Sequence, residues 1–417
     1  MAKRLEVWLY GTTIGTVTQD DFGRQSFAYD QDYATDASRP PLSLSMPVSA
    51  SRIRPKAIEP FMWGLLPDSE EVRDRWAKNF GVSSRNAFDL LSHVGRDCAG
   101  GAMFVPEGAA DRADSVVQVD DAQIGQRLRG LRSDSSEWAV PGEKWSLAGA
   151  QSKFTLTQGL DGSWTEVMGD TPSTHIIKPG ITAYKYQALI EHVSMTVART
   201  LGLRAAKTEY REFACEPALV VTRFDRRRAR DGSLVRVHQE DLCQALSVYP
   251  RRKYEANGGP SSAVIARVLR DNSTNGDSDV WEFAQALVFN YLIGAPDAHS
   301  KNYSVILAPG RVQLAPLYDV ASALPYDATG DSEIDEAAMA IGGKRLFGTV
   351  HGRHWDRLAN RVGVDSEVLR AEVIRQAESI PSAFLHELDQ FDVQDLRDRL
   401  IQRLDHLCAA TVTQLRD

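Results

Sequence analysis

The feature that most constrains this chain is a change of period. Between residues 145 and 222 the apolar residues fall in short runs of strand character, and beyond 222 they recur mostly at helical spacing. The short runs lie at 153–156, 164–167, 175–177, 206–213 and 218–222, with turn chemistry at 159–162 and at Pro172 and one helical stretch at 188–201. A β-rich part followed by an α-rich part is the expected order, which suits a small sheet-and-helix lobe and a helical lobe.

Upstream, residues 4–18 read as two strands joined at Gly11, and a further strand is expected at 41–47. Spacing turns helical over 58–91, through Phe61, Leu65, Leu66, Val72, Trp76, Phe88, Leu90 and Leu91, with Asn86 placed to cap the last helix. The Asp- and Ser-rich stretch 109–136 reads as a surface connection carrying one helix, which sets the expected division at 1–136, 137–224 and 225–417. No internal repeat of 20 to 50 residues is found.

At 417 residues and 43% hydrophobic content the chain can bury cores for two or three domains. A formal charge of −8 argues against a surface that grips nucleic acid throughout. The cysteines stand singly at 98, 215, 243 and 408, without zinc spacing or a disulfide framework, so a reducing cytoplasm fits best. The first residues alternate like a strand instead of forming a signal core, and the apolar stretch 280–295 is too short to span a bilayer. A cytoplasmic location is expected. The basic runs at 226–230 and 251–253 are expected on the solvated surface.

The most informative segment is Gly294-Ala295-Pro296-Asp297-Ala298-His299-Ser300-Lys301-Asn302-Tyr303, followed by an expected hairpin and then Leu317-Tyr318-Asp319-Val320. Each residue alone has a structural explanation: Asp297 as a turn cap, Asn302 and Asp319 as loop residues, His299 as a packed core histidine. Together they match the needs of phosphoryl transfer to a hydroxyl, an acceptor for the proton and oxygen ligands for magnesium. Protein kinases place Asn at the fifth position after a catalytic Asp, and a second metal-binding Asp beyond a short hairpin. Asp297, Asn302 and Asp319 reproduce that spacing. Lys178, ending an apolar strand, is a candidate phosphate contact, and Glu191 on the next helix is placed to orient it. The small-residue turn before Lys153, with Ala148, Gly149, Ala150 and Gln151, is a candidate phosphate-binding loop, though neither a Walker nor a Gly-x-Gly-x-x-Gly motif is present.

Five segments in order, Ser146-Leu147-Ala148-Gly149-Ala150-Gln151-Ser152-Lys153, Thr174-His175-Ile176-Ile177-Lys178, Arg223-Phe224-Asp225-Arg226, Gln239-Glu240-Asp241 and Asp297-Ala298-His299-Ser300-Lys301-Asn302, resemble the motif series of HipA-type toxin kinases. Trp63-Gly64-Leu65-Leu66-Pro67-Asp68 and Val94-Gly95-Arg96-Asp97-Cys98-Ala99-Gly100 resemble the amino-terminal region of the same family. The resemblance implies an α+β, bilobal protein-kinase-like fold with an extra N-terminal β-rich subdomain and an enlarged α-helical C-terminal lobe. It implies ATP and Mg2+ as cofactors. Asp297 would be the base, and Asn302 and Asp319 the metal ligands. Lys178 and His299 would approach the ATP phosphates, Thr222 and Phe224 the adenine, and Gln239 and Tyr318 the ribose. Ser146 falls at the family's autophosphorylation position, where a phosphate would expel the loop and inactivate the enzyme. The implied partners are a HipB-like helix-turn-helix antitoxin, through which DNA would mainly be contacted, and a protein substrate such as an aminoacyl-tRNA synthetase. A small-molecule kinase and a catalytically silent regulatory module are the alternative readings. Val320-Ala321 after Asp319 departs from the Phe-Gly of eukaryotic kinases, and Ser152 stands where an acidic residue is expected.

Overall fold

The computed structural model describes residues 2–36, 38–49, 55–109, 115–136, 145–327 and 334–416. The chain divides into two compact units: Met1–Ala188 with Glu209–Arg251 and Val305–Arg311, and Leu189–Thr208 with Arg252–Ser304 and Val312–Asp417. Residues 110–114 of the polar connection and the start of the expected second part, 137–144, lie outside the described residues.

The first unit holds two principal sheets. A four-stranded sheet has the order Gln25–Tyr29, Thr12–Gln19, Lys3–Leu9, Met103–Pro106. Leu5 pairs with Val17 and Val7 with Phe104, so alternation puts all four side chains into one core. The helices Pro55–Gly64, Glu70–Phe80 and Ala87–Val94 close that core with Phe61, Met62, Trp76, Phe88 and Leu91. Asn86 caps as expected, its side chain accepting from the amides of Phe88 and Asp89. The six-stranded sheet runs Thr208–Phe213, Glu216–Thr222, His175–Lys178, Phe154–Gln158, Trp164–Met168, Ser115–Val119. Its last strand comes from the stretch read as a connection. The helix there, Asp121–Ser133, starts in a reciprocal Asp120–Gln123 capping box and packs on Glu216–Thr222.

Residues 41–47 do not form the expected strand; a strand occurs earlier, at Gln25–Tyr29, and 41–47 keep only an isolated bridge between Ser43 and Met46. Side chains supply the backbone partners a neighbouring strand would have given. Tyr29 Oη accepts from the Leu42 amide and donates to the Met46 carbonyl, His238 Nε2 donates to the Leu42 carbonyl, and Glu240 accepts from the Leu44 amide.

The second unit is mainly helical, with Ser262–Asn272, Gly276–Leu292, Gly352–Val362, Ser366–Leu388 and Gln394–Gln414. A small antiparallel pair, Glu336–Ile341 with Lys344–Leu346, interrupts the helical pattern expected there. Gly276–Leu292 is the central helix, and Val280, Phe283, Ala284, Leu287, Val288 and Phe289 are all buried. From Ala286 to Leu292 it is buried on every side, as in a core helix wrapped by others. Among the described residues no helix is long and apolar enough to cross a membrane.

Candidate active site

The second unit carries the loop with the carboxylate and the metal-ligand candidates. Its central helix ends at Leu292, and Gly294 turns the chain with φ +60, a conformation that favours glycine. A Cβ there would also strike Leu324 Cδ2 at 2.6 Å. The loop that follows is held internally: the Asn302 side-chain amide donates to the Asp297 carbonyl at 2.7 Å, and the His299 amide donates to the same oxygen at 2.8 Å. A single turn of 3-10 helix, Ser300–Asn302, closes it, and Asn290 of the helix donates to Tyr303 Oη at 2.8 Å.

This scaffold presents one acidic side chain to solvent. Asp297 is 62% exposed, whereas His299 behind it is 3% exposed, with Nε2 3.7 Å from Asp297 Oδ1. Lys301 and Asn302 are buried. Tyr318 Oη donates to the Lys301 carbonyl at 2.6 Å and lies 2.6 Å from Ser304 Oγ, so Tyr318 braces the exit of the loop. The next residue, Asp319, has φ +60, a left-handed conformation that costs most non-glycine residues conformational energy. With the Asn302 side-chain nitrogen donating to the Asp297 carbonyl, its Oδ1 and the Asp319 carboxylate are the oxygen groups that could hold a metal. An all-oxygen donor set of this kind suits magnesium. Among the described residues no cluster of three or more His, Cys, Asp or Glu stands together as a metal site.

The first unit carries the remaining candidates except Glu191. Lys178 ends the central strand His175–Lys178 and is buried; Glu191 lies on the helix Gln187–Thr200, in the part belonging to the second unit, and is buried as well. In the small-residue loop the Gly149 carbonyl accepts from the Asp68 amide at 2.9 Å, the Ala148 carbonyl accepts from Lys153 Nζ at 2.7 Å, and Gln151 donates to Gln187 at 3.1 Å. Ser146 is fully buried, its hydroxyl donating to the Leu65 carbonyl at 2.8 Å. Thr222 is exposed at the end of its strand, Phe224 is half-buried, and Gln239 has a buried Oε1 that receives no hydrogen bond among the described residues. That unmet acceptor fits a ribose hydroxyl.

Sequence reasoning missed the charged network beneath these residues. Arg223 makes a two-pronged contact with Asp225 at 3.0 and 2.9 Å and donates to the Cys98 carbonyl and to Ser173 Oγ. Arg226 reaches Asp97 at 2.7 Å and the carbonyls of Cys98 and Gly100. Asp225 accepts from the Gly100 amide at 2.7 Å. Burial would raise the Asp97 carboxyl, but Arg226, Arg223 and Arg236 outweigh it and hold Asp97 well below the usual range; Arg223 and Arg226 do the same for Asp225. Arg226, expected on the surface, is therefore a buried structural cation, while Arg227, Arg228 and Arg230 are exposed. Next to the network His238 is pushed down to about 4 by burial and stays neutral, donating from Nε2 and accepting the Gly101 amide at Nδ1.

The HipA N-terminal domain model matches residues 5–104, and the HipA-like C-terminal domain model matches residues 145–384. The chain belongs to the HipA family. Among relatives, the Sinorhizobium fredii protein Y4mE is 34% identical over 398 residues, covering 94% of this chain and 93% of its own length. The serine/threonine-protein kinase toxin HipA of Shewanella oneidensis is 30% identical over 401 residues, with 91% and 88% covered. A solved structure of the S. oneidensis HipA, HipB and operator DNA complex contains a chain that superposes with TM-score 0.86 at 25% identity, covering 99% of this chain and 98% of that one. The α+β kinase-like fold of HipA proteins, with a β-rich N-terminal subdomain and an α-helical C-terminal lobe, is thus the fold of this chain.

Proposed function

We propose that this HipA-family chain is an ATP- and magnesium-dependent serine/threonine protein kinase, the toxin of a HipA/HipB-like module. The observation that carries the reading is the Asp297 loop: one exposed carboxylate on a braced turn, with Asn302 oriented by the Asp297 carbonyl. In the reaction, Asp297 accepts the proton of an acceptor hydroxyl as that oxygen bonds to the γ-phosphorus of ATP. The bond from the γ-phosphorus to the bridging oxygen breaks and ADP leaves with the electron pair. Asn302 and Asp319 would hold magnesium, which when bound neutralises phosphate charge. Lys178, Gln239, His299, Tyr318 and the loop 148–151 would bind and orient ATP, with Thr222 and Phe224 at the base.

The acceptor in this reading is a cellular protein, with an aminoacyl-tRNA synthetase as the class the family resemblance suggests, and the consequence is arrested translation and growth in the cytoplasm. A HipB-like antitoxin restrains the kinase and makes most of the contact with operator DNA. Phosphorylation of Ser146 would end activity, because the added charge cannot stay buried beneath the Leu65 carbonyl.

Transfer of labelled γ-phosphate from MgATP to the chain itself tests the assignment. Asp297→Asn and Asp319→Asn are expected to lower the rate by about 10²- to 10⁴-fold, and induced wild type, but not Asp297→Asn, to slow growth. Equal labelling of wild type and both variants would overturn the catalytic reading.

A further inference from the structure

The proposed base is not held by its own loop alone. Tyr254 Oη donates to Asp297 Oδ1 at 2.5 Å, and the Tyr254 ring meets the His299 ring edge-on at 4.9 Å and 80°. One aromatic side chain thus touches two of the loop's functional candidates, Asp297 and His299. We infer that Tyr254 is a positioning residue for phosphoryl transfer, fixing the Asp297 carboxylate through its hydroxyl so that the acceptor's proton passes to the other carboxylate oxygen. It rests on the kinase reading above.

The placement of Tyr254 is built and not incidental. Ser300 Oγ donates to the Lys253 carbonyl at 2.8 Å, so the residue before Tyr254 is clamped directly to the loop. The Tyr254 carbonyl accepts from the amides of Asn257 and Gly259 at 3.0 and 2.9 Å, which winds the short turn Glu255–Asn257 tightly behind it. Glu255 accepts from the Ala340 amide at 2.7 Å, tying the turn to the strand Glu336–Ile341. Residue 259 tolerates only glycine, since a Cβ would meet the Arg252 carbonyl oxygen at 2.2 Å and that of Tyr254 at 2.7 Å. Three anchors on the 253–259 segment therefore fix a phenol against a carboxylate that is 62% exposed.

The physical reason is rotamer freedom. An exposed aspartate samples several χ1 wells, and catalysis falls steeply when a reacting group is displaced by an ångström. A phenol donor at hydrogen-bond distance selects one well. Neither the base-to-asparagine spacing nor the family motifs assign a role to this tyrosine.

The test uses the full chain and its own labelling by MgATP. Tyr254→Phe keeps the ring against His299 and removes only the hydroxyl. The expected result is a roughly 10-fold or greater loss in the maximal labelling rate, with an unchanged half-saturating MgATP concentration and unchanged MgATP affinity in equilibrium binding. A merely structural role would move affinity and thermal midpoint together. Maximal rates within twofold of wild type, while Asp297→Asn is inactive, would overturn the role of Tyr254 and leave the kinase reading standing. Should Tyr254→Phe lose MgATP affinity, the residue is structural and the inference is equally overturned. Full labelling by Asp297→Asn would instead sink the kinase reading itself.

Discussion

Glu240→Gln is expected to strengthen the first unit in alkaline solution and to leave it unchanged in acid. Glu240 is 1% exposed, accepts from the Leu44 amide at 2.7 Å, and helps hold the 41–47 segment that carries no sheet pairing of its own. Burial pushes its carboxyl up from 4.5 to about 8, and the neighbouring Asp241 charge adds to the rise, against the opposing Leu44 hydrogen bond. In the unfolded or locally opened chain the carboxyl ionises near its ordinary value. Between 4.5 and about 8 the folded form keeps a proton that the open form has lost, so the stabilisation present below 4.5 falls as pH rises and is gone above about 8. At about 1.4 kcal/mol per unit the loss is on the order of 4 to 5 kcal/mol of opening free energy. Gln preserves the carbonyl acceptor for Leu44 and has no proton to lose. Hydrogen exchange of peptides spanning 40–46, corrected for intrinsic rates from pH 5 to 9, reads the effect: wild-type protection should fall with pH and the variant's should stay level. Parallel profiles for the two proteins would refute the reasoning.

Asp97→Ala removes the charge facing Arg226, Arg223 and Arg236 and strips Ser173 of its acceptor, leaving buried guanidinium groups without that compensation. A loss of about 3–5 kcal/mol is expected, read as a lower urea midpoint of the first unit, and a change below about 1 kcal/mol would show the network to be redundant. Ser146→Ala leaves the buried Leu65 carbonyl without its donor and should cost about 1 kcal/mol. Mass spectrometry of wild type after MgATP incubation should place phosphate on Ser146, and its absence from active enzyme would remove that residue from the proposed regulation.

Much of the architecture was legible because periodicity reports burial. The run of strands from 154 to 222 and the helices at 55–94 and 276–292 follow apolar spacing that tertiary structure did not override. Where the reading missed, long-range partners decided. Residues 41–47 alternate like a strand, yet Tyr29, His238 and Glu240 satisfy their backbone from distant positions. Ser115–Val119 reads as polar connection because one short edge strand draws its pairing from Trp164–Met168, invisible to a local window. The candidate carboxylate was found through its five-residue spacing to Asn302; Tyr254 was not, because a tyrosine 43 residues away carries no spacing signal. A Lys-Tyr-Glu run followed by paired glycines at 258 and 259 was the available clue.

The buried network also accounts for motifs that touch no chemistry. Asp97 and Gly100 come from the amino-terminal region, Ser173 precedes the lysine strand, and Arg223, Asp225 and Arg226 follow the strand that ends at Thr222, yet all meet in one cluster. Trp145 and Ser146 pair with Asp97 and Cys98, and Asp68 donates to Gly149, so the small-residue loop is attached to the same amino-terminal segments. An isolated guanidinium in such a place would carry a large desolvation cost, and each charge is tolerable only while its partners are present. The amino-terminal region is therefore part of the platform that shapes the loop and the Thr222 edge. Removing it would expose Arg223 and Arg226 without Asp97 and release Ser146 from Leu65, so the remaining residues could not keep the first unit's geometry by themselves.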